Sequence, residues 1–211
     1  MIFRQLRIGG DRNFAYLIGD SVSGKAAIVD PGVNPEMILE SARELDLQIT
    51  HIINTHGHHD HVGANQDVKT ATDALVYSAN SQIADIVVSD GEVIQVGHLD
   101  LRVIATPGHT RDSICILAGN KLCTGDTLFV GKVGGTGFGQ DARDEYHSLH
   151  ETILKLPDET EVYPGHDYGV KPTSTVGNEK ATNPFLIQPD FEAFIHLKKN
   201  WKAYKEKHGI K

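Results

Sequence analysis

Twelve of the 211 residues are histidines, and five of them (His51, His56, His58, His59 and His61) fall within one stretch of eleven residues. The segment Thr55-His56-Gly57-His58-His59-Asp60-His61 carries the donor types that bind a borderline-soft divalent cation. In an extended backbone alternate side chains share a face, so His56 and His58 can present two imidazoles to one ion. After a bend, Asp60 and His61 can face a second ion. Gly57, with no Cβ, allows the chain to close around such a site. A solvated polar loop would account for the same residues, but three more donors occur in matching contexts. His109 lies in Thr106-Pro107-Gly108-His109-Thr110, Asp126 in Thr124-Gly125-Asp126-Thr127, and His166 in Pro164-Gly165-His166-Asp167. Each directly follows an expected strand, in a turn rich in Gly or Pro, where a rigid scaffold usually positions binding residues.

The remaining histidines read as ordinary. His59 interrupts the spacing and is expected to face solvent or to support a neighbour. His51 falls in a strand and His98 in a turn, and both are expected to be structural. His147 and His150 lie three apart on one helical face and suit surface or packing roles. Asp30, which ends a strand before Pro31-Gly32, fits a turn equally well as it fits a partner behind a ligand histidine. Cys115 and Cys123 lie in expected strands and read as small buried hydrophobes. Two cysteines without C-x-x-C spacing make neither a disulfide framework nor a zinc ribbon, and they fit a reducing compartment.

The elements that must carry these residues follow from periodicity and turn chemistry. Strands are expected at Ile2–Ile8, Phe14–Ile18 and Ala26–Val29, separated by turn formers. Asn34 can cap and Pro35 can start a helix with Met37, Ile38, Ala42 and Leu45 on one face. Strand Ile49–Asn54 leads into the histidine segment. Helix Ala64–Thr72, strand Ala74–Ser78 and a helical stretch Ser81–Val88 follow. The pattern then returns to strands at Val93–Val96, Leu99–Ala105, Ser113–Leu117 and Lys121–Thr124. Helix Ala142–Leu156, strand Glu161–Tyr163 and helix Phe191–Lys207 complete the order. Two packed sheets covered by helices and a doubly wound parallel sheet both accommodate this alternation.

Hydrophobic residues make up 39% and charged residues 23%, an ordinary globular composition, so one domain spanning 1–211 is expected, with 185–211 as a helical C-terminal extension. The formal charge of -8 repels polyanions and disfavours a nucleic-acid partner. Arg4 and Arg7 break the N-terminal apolar run, and no stretch approaches the roughly 18 apolar residues of a membrane span. A soluble, cytoplasmic protein with no membrane partner is expected. Lys198–Lys211 holds six lysines and one glutamate, which reads as a solvated helical face with charge suited to a helix C-terminus.

The order H-x-H-x-D-H, then His109, then Gly-Asp126, then Gly-His166 resembles the metallo-β-lactamase-fold superfamily over almost the whole chain. The resemblance implies an α/β fold, a four-layer αβ/βα sandwich in which two mixed sheets pack face to face with helices outside. It implies that His56, His58 and His109 hold one metal and that Asp60, His61 and His166 hold a second. Asp126 would bridge the two, and Asp60 and Asp126 would serve catalysis.

Within the superfamily, aspartate at 126 in place of the cysteine of zinc β-lactamases argues against antibiotic hydrolysis. His58 in place of glutamate argues against flavodiiron oxygen reductases. The segments Thr106–Thr110, Thr124–Phe129 and Tyr163–Tyr168 are most similar to glyoxalase II (hydroxyacylglutathione hydrolase) and the related persulfide dioxygenases. The first implies two divalent ions, Zn²⁺ or Fe²⁺, that activate water for attack on a thioester or related acyl ester. The second implies a single Fe(II) held by His56, His109 and Asp126, with positions open to a persulfide and O₂. Tyr146–His150, Tyr163–Tyr168 and Asn183-Pro184 look more like the dioxygenases, and only 27 residues follow Pro184, short of the helical glutathione-binding domain of glyoxalase II. Either reading makes the partner a small thiol conjugate, with Lys132 and Tyr168 as expected substrate contacts. One departure stands out: in Gly131–Gly139, Gly135 occupies the place of an arginine that helps the dioxygenases hold glutathione.

Overall fold

The computed structural model describes residues 1–209 and divides the chain between two six-stranded sheets. The first begins as an antiparallel meander of β1 (Ile2–Gly9), β2 (Asn13–Gly19) and β3 (Lys25–Val29). It then adds β4 (Gln48–Ile53), β5 (Leu75–Ser78) and β6 (Ile86–Val87) in parallel. Parallel neighbours need crossovers, which α1 (Pro35–Glu44) and α3 (Asn65–Thr72) supply, with one short helix, α2 (His59–Val62), between β4 and α3. Asn34 caps α1 by accepting from the Met37 N–H, with Pro35 in its first turn, as expected.

In the second sheet β7 (Val93–Val96), β8 (Leu99–Ala105), β9 (Ile114–Ala118) and β10 (Lys121–Gly125) run antiparallel. A separate hairpin of β11 (Leu128–Phe129) and β12 (Lys132–Val133) follows. β13 (Glu161–Pro164) then joins parallel to β10, and β14 (Ser174–Thr175) closes the edge. Helices α4 (Gln140–His147), α5 (Val176–Thr182), α6 (Phe191–Lys199) and α7 (Trp201–His208) complete the described chain. None of these helices is long and apolar enough to cross a membrane.

Period-two alternation in β2 shows how the layers are sorted. Phe14, Tyr16 and Ile18 enter the core between the sheets, where they meet Leu101, Val103, Ile114 and Ile116. Ala15 and Leu17 point the other way, onto Ile38 and Ala42 of α1 and Val68 of α3. The outer face of the second sheet (Ile104, Cys115, Leu122 and Val162) is covered by Leu149, Ile153, Phe194 and Leu197. The result is four layers, helix, sheet, sheet and helix, the sandwich implied by the resemblance and not a doubly wound sheet. Both cysteines are buried and free.

Three elements depart from the sequence expectation. Ser81–Val88 is not a helix: one turn forms on the Asn80 carbonyl, and then Asp85 and Val88 donate to Val76 and Ser78 as β6 pairs with β5. β-branched Ile86 and Val87 complete the sheet edge, which outweighs the helical spacing of Ile83, Ala84 and Val87. The expected helix Ala142–Leu156 ends at His147 and continues as a π turn (Ser148–Thr152) and a 3₁₀ turn (Ile153–Lys155). There the Ser148 hydroxyl donates to the Pro107 carbonyl, tying this stretch to the loop that carries His109. The terminal helix is broken at Asn200, whose side-chain amide donates to the His196 carbonyl at 2.9 Å and competes with the helical ladder.

Ile116, fully buried in the middle of β9, tests the inter-sheet core. Ile116→Ala is expected to cost about 2–5 kcal/mol in urea unfolding, and Val170→Ala, at a site 96% exposed, within about 0.5 kcal/mol. Equal effects of the two changes would contradict this layer assignment.

Candidate metal centre

All seven expected donors lie beyond strand ends along one edge of the sandwich, five in loops and two, Asp60 and His61, in the short helix α2. The loop after β4 carries His56 and His58 and runs into α2 with Asp60 and His61. His109 follows β8, Asp126 follows β10 and His166 follows β13. The two sheets are joined here: the Phe14 N–H donates to the Gly165 carbonyl at 2.8 Å, and Asn13 and His166 form an isolated bridge.

The donors form two sets. In the first, His58 Nδ1 lies 3.1 Å from His56 Nε2 and 3.0 Å from His109 Nε2. In the second, His61 Nε2 lies 3.2 Å from His166 Nε2, and Asp60 Oδ2 lies 3.4 Å from His166 Nε2 and 3.7 Å from His61 Nε2. Asp126 stands between: Oδ2 is 3.6 Å from His109 Nε2, and Oδ1 is 3.4 Å from both His61 and His166. Donors about 2.1 Å from a shared ion and 90–110° apart are separated by about 3.0–3.4 Å. The clusters match that spacing, with the Asp60 contact to His61 and the Asp126 contact to His109 slightly wider.

Hydrogen bonding on the far side of each ring decides what these close contacts mean. His61 Nδ1 donates to Asp30 Oδ2 at 2.9 Å, His109 Nδ1 to the Gly135 carbonyl at 2.8 Å, and His166 Nδ1 to the Asp11 carbonyl at 2.8 Å. The Thr55 hydroxyl donates to Asp30, so His56 Nδ1 donates to that hydroxyl at 3.1 Å. Each ring therefore turns Nε2 toward the others, and lone pairs brought together in this way repel unless a cation or a proton sits between them. Asp126 Oδ1 is buried without a hydrogen-bond partner. An orphaned carboxylate oxygen among convergent imidazoles fits a metal ion.

Asp30, open between turn and support in the sequence, is such a support. It has φ +49°, an uncommon conformation for a residue with a Cβ, and its carboxylate also accepts from the Thr55 N–H at 2.8 Å. The β3 end thereby holds the β4 loop and fixes His56 and His61 together. Asn13 Nδ2 donates to Asp60 Oδ2 at 3.0 Å. His59 is exposed. His51 bonds Thr50 and faces Tyr77, His98 pairs with Asp20, and His150 stacks on Tyr146, so these keep the roles expected of them.

Tyr168 stacks on His166 with ring centroids 4.6 Å apart, and Lys132 Nζ donates to the Tyr168 carbonyl at 2.9 Å. Both line a cavity of about 750 Å³ together with Arg12, whose guanidinium lies 4.7 Å from the Tyr168 ring centroid. Sequence reasoning missed Arg12 and Asn13, because Gly9–Asn13 reads simply as a turn. Nothing local shows that this turn folds against His166 and Asp60.

The sequence profile of the Metallo-beta-lactamase superfamily matches residues 8–85 and 79–166. The chain belongs to this superfamily. A hydroxyacylglutathione hydrolase of Polaromonas sp. (strain JS666) is 42% identical over 166 residues, 74% of this chain and 63% of the relative, so the match leaves over a third of that protein unspanned. The mitochondrial persulfide dioxygenase ETHE1 of Homo sapiens is 33% identical over 95% of this chain and 81% of its own. Among solved structures, ETHE1 from Myxococcus xanthus superposes with a TM-score of 0.89 at 40% identity, covering 95% of this chain and 91% of that one.

The two sets differ in proton affinity. Burial drives the His56 imidazole down to about 4 and also lowers His109, so both are neutral at pH 7. Burial opposes charge on His61 and His166 as well, but Asp30 and Asp126 outweigh it at His61, and Asp126 does so at His166, so both are raised. Before binding a cation, the second set must lose protons that the first has already lost. Calorimetric Zn²⁺ titration of metal-free protein in buffers of different ionisation enthalpy is expected to show proton release mainly with the second equivalent. Affinity for that equivalent should rise more steeply between pH 6 and 8. Equal release for both equivalents would contradict this electrostatic asymmetry.

Proposed function

We propose that the chain is a binuclear metal-dependent hydrolase acting on a thioester or related acyl ester of a small thiol. The observation that carries the reading is the placement of Asp126, one carboxylate oxygen toward each donor set. In this reading His56, His58 and His109 hold one divalent ion, Zn²⁺ or Fe²⁺, Asp60, His61 and His166 hold another, and Asp126 joins them. Bound there, the ions would supply Lewis acidity and a water acidic enough to act at neutral pH.

The chain's own groups complete the chemistry. Asp126 is held well below the usual carboxylate range: burial opposes this, but His166 and His61 prevail, so it remains an anion. Asp60 is also lowered against its partial burial, by Asn13 and His61, and its 40% exposed carboxylate can pass a proton to solvent. Tyr168, stacked on His166, and Lys132, bonded to the Tyr168 carbonyl, would contact the substrate. A thiolate leaving group needs little acid assistance, because thiols ionise near pH 8.5.

A persulfide dioxygenase with one Fe(II) on His56, His109 and Asp126 is the second reading, favoured by the 40% identity to the Myxococcus ETHE1 structure. The test uses S-lactoylglutathione hydrolysis, with oxygen uptake on glutathione persulfide as the counter-assay, on protein prepared without oxygen. Thioester turnover that falls about 100-fold or more in Asp126→Ala is expected. Oxygen uptake without thioester turnover would replace the hydrolase by the dioxygenase.

A further inference from the structure

Residues 131–139 include five glycines, a composition that leaves a segment costly to order. Its ends are secured locally, by the β11–β12 hairpin and by Asp141, which accepts from the Gly137 and Gly139 N–H groups. Its middle depends on two neighbouring carbonyls. Gly135 O accepts from His109 Nδ1, and Gly134 O accepts from Lys198 Nζ of α6 at 2.8 Å.

Lys198 is the unusual member. Its side chain is 7% exposed and pairs with Glu145 of α4, which is 1% exposed. One Glu145 oxygen, Oε1, lacks a hydrogen-bond partner, so the pair is an incompletely satisfied buried ion pair. Such a pair contributes little stability, and apolar residues of similar volume usually do as well or better. Its distinctive product is the bond from Lys198 to Gly134.

Glu145 also packs against Gly108, the residue before His109. A Cβ on Gly108 would lie 2.4 Å from Glu145 Cβ, so α4 packs directly against the residue before His109. A Cβ on Gly134 would lie 3.1 Å from His109 Cβ, so the loop packs against the imidazole-bearing residue itself. The Gly108–His109 segment lies between α4 and the glycine-rich loop, and Lys198 fastens one to the other.

We propose that Glu145 and Lys198 are positioning residues, a buried strut that fixes the Gly134–Gly135 carbonyls and thereby the orientation of the His109 imidazole toward the metal. The proposal rests on the reading of His109 as a ligand, and its test separates the two. The double variant Glu145→Leu/Lys198→Met removes the ion pair without leaving a buried charge. Histidine-selective ¹⁵N spectra of metal-free protein, with His109 assigned by its loss in His109→Gln, report the Nδ1–H bond. Competition with a chelator reports Zn²⁺ affinity.

The expected result is a thermal midpoint at or above that of the parent, with the His109 Nδ1–H signal broadened by solvent exchange and Zn²⁺ affinity about 10- to 100-fold lower. Lys198→Arg, which keeps a donor for Gly134, should retain the signal. A sharp parent-like His109 signal and unchanged Zn²⁺ affinity in the double variant would overturn the strut. If the double variant does not fold, Lys198→Met alone is read by the same two measurements and the same criteria. An altered His109 signal with unchanged Zn²⁺ affinity upholds the strut and overturns instead the reading of His109 as a ligand.

Discussion

The site depends on the aim of imidazole lone pairs. Four histidines from both sheets each donate through one ring nitrogen to a protein oxygen, on Asp30, Thr55, Gly135 or Asp11, and turn the other toward a shared space. That arrangement is unfavourable without a cation or a proton. It survives folding because the acceptors belong to rigid strand ends and to loops packed on them. The inter-sheet core and the bond from Phe14 to Gly165 bring the two strand-end groups to one edge. Architecture and chemistry are thus one constraint: separating the sheets would release the lone pairs.

Much of this was legible in the residues. Histidines two apart after an apolar strand, and single donors in Gly-rich turns after later strands, point to metal donors at strand ends before any topology is known. Strand periodicity likewise locates ten of the fourteen strands among the described residues. The missing pieces share a cause. β6, β11, β12 and β14 have two residues each, too short to carry a period. Asp30 was ambiguous because a carboxylate before Pro-Gly suits a turn, and only the tertiary approach of β3 to the β4 loop shows it holding Thr55 and His61. Lys198 read as part of a solvated basic face, yet α6 turns it inward to Glu145, a fact that depends on helix rotation and not on composition.

The comparisons and the geometry narrow the chemistry from different directions. Superfamily membership accounts for the sandwich and for a metal-binding edge, while relatives bearing hydrolase and dioxygenase names share this framework. A side chain at Gly135 would meet nothing within 4 Å, yet the position carries none and contributes its carbonyl to His109. The Gly135 carbonyl ties this loop to the donor edge, and Arg12, Lys132 and Tyr168 stand with Asn178, Glu179, Thr182 and His208 among the polar residues that line the cavity.

The central claim is that both donor sets are metal sites sharing Asp126. Anomalous diffraction from crystals grown with Zn²⁺ tests it most directly. The account predicts two anomalous peaks, one on His56, His58 and His109 and one on Asp60, His61 and His166, each within bonding distance of one Asp126 oxygen. A single peak on His56, His109 and Asp126 in crystals saturated with metal would contradict it.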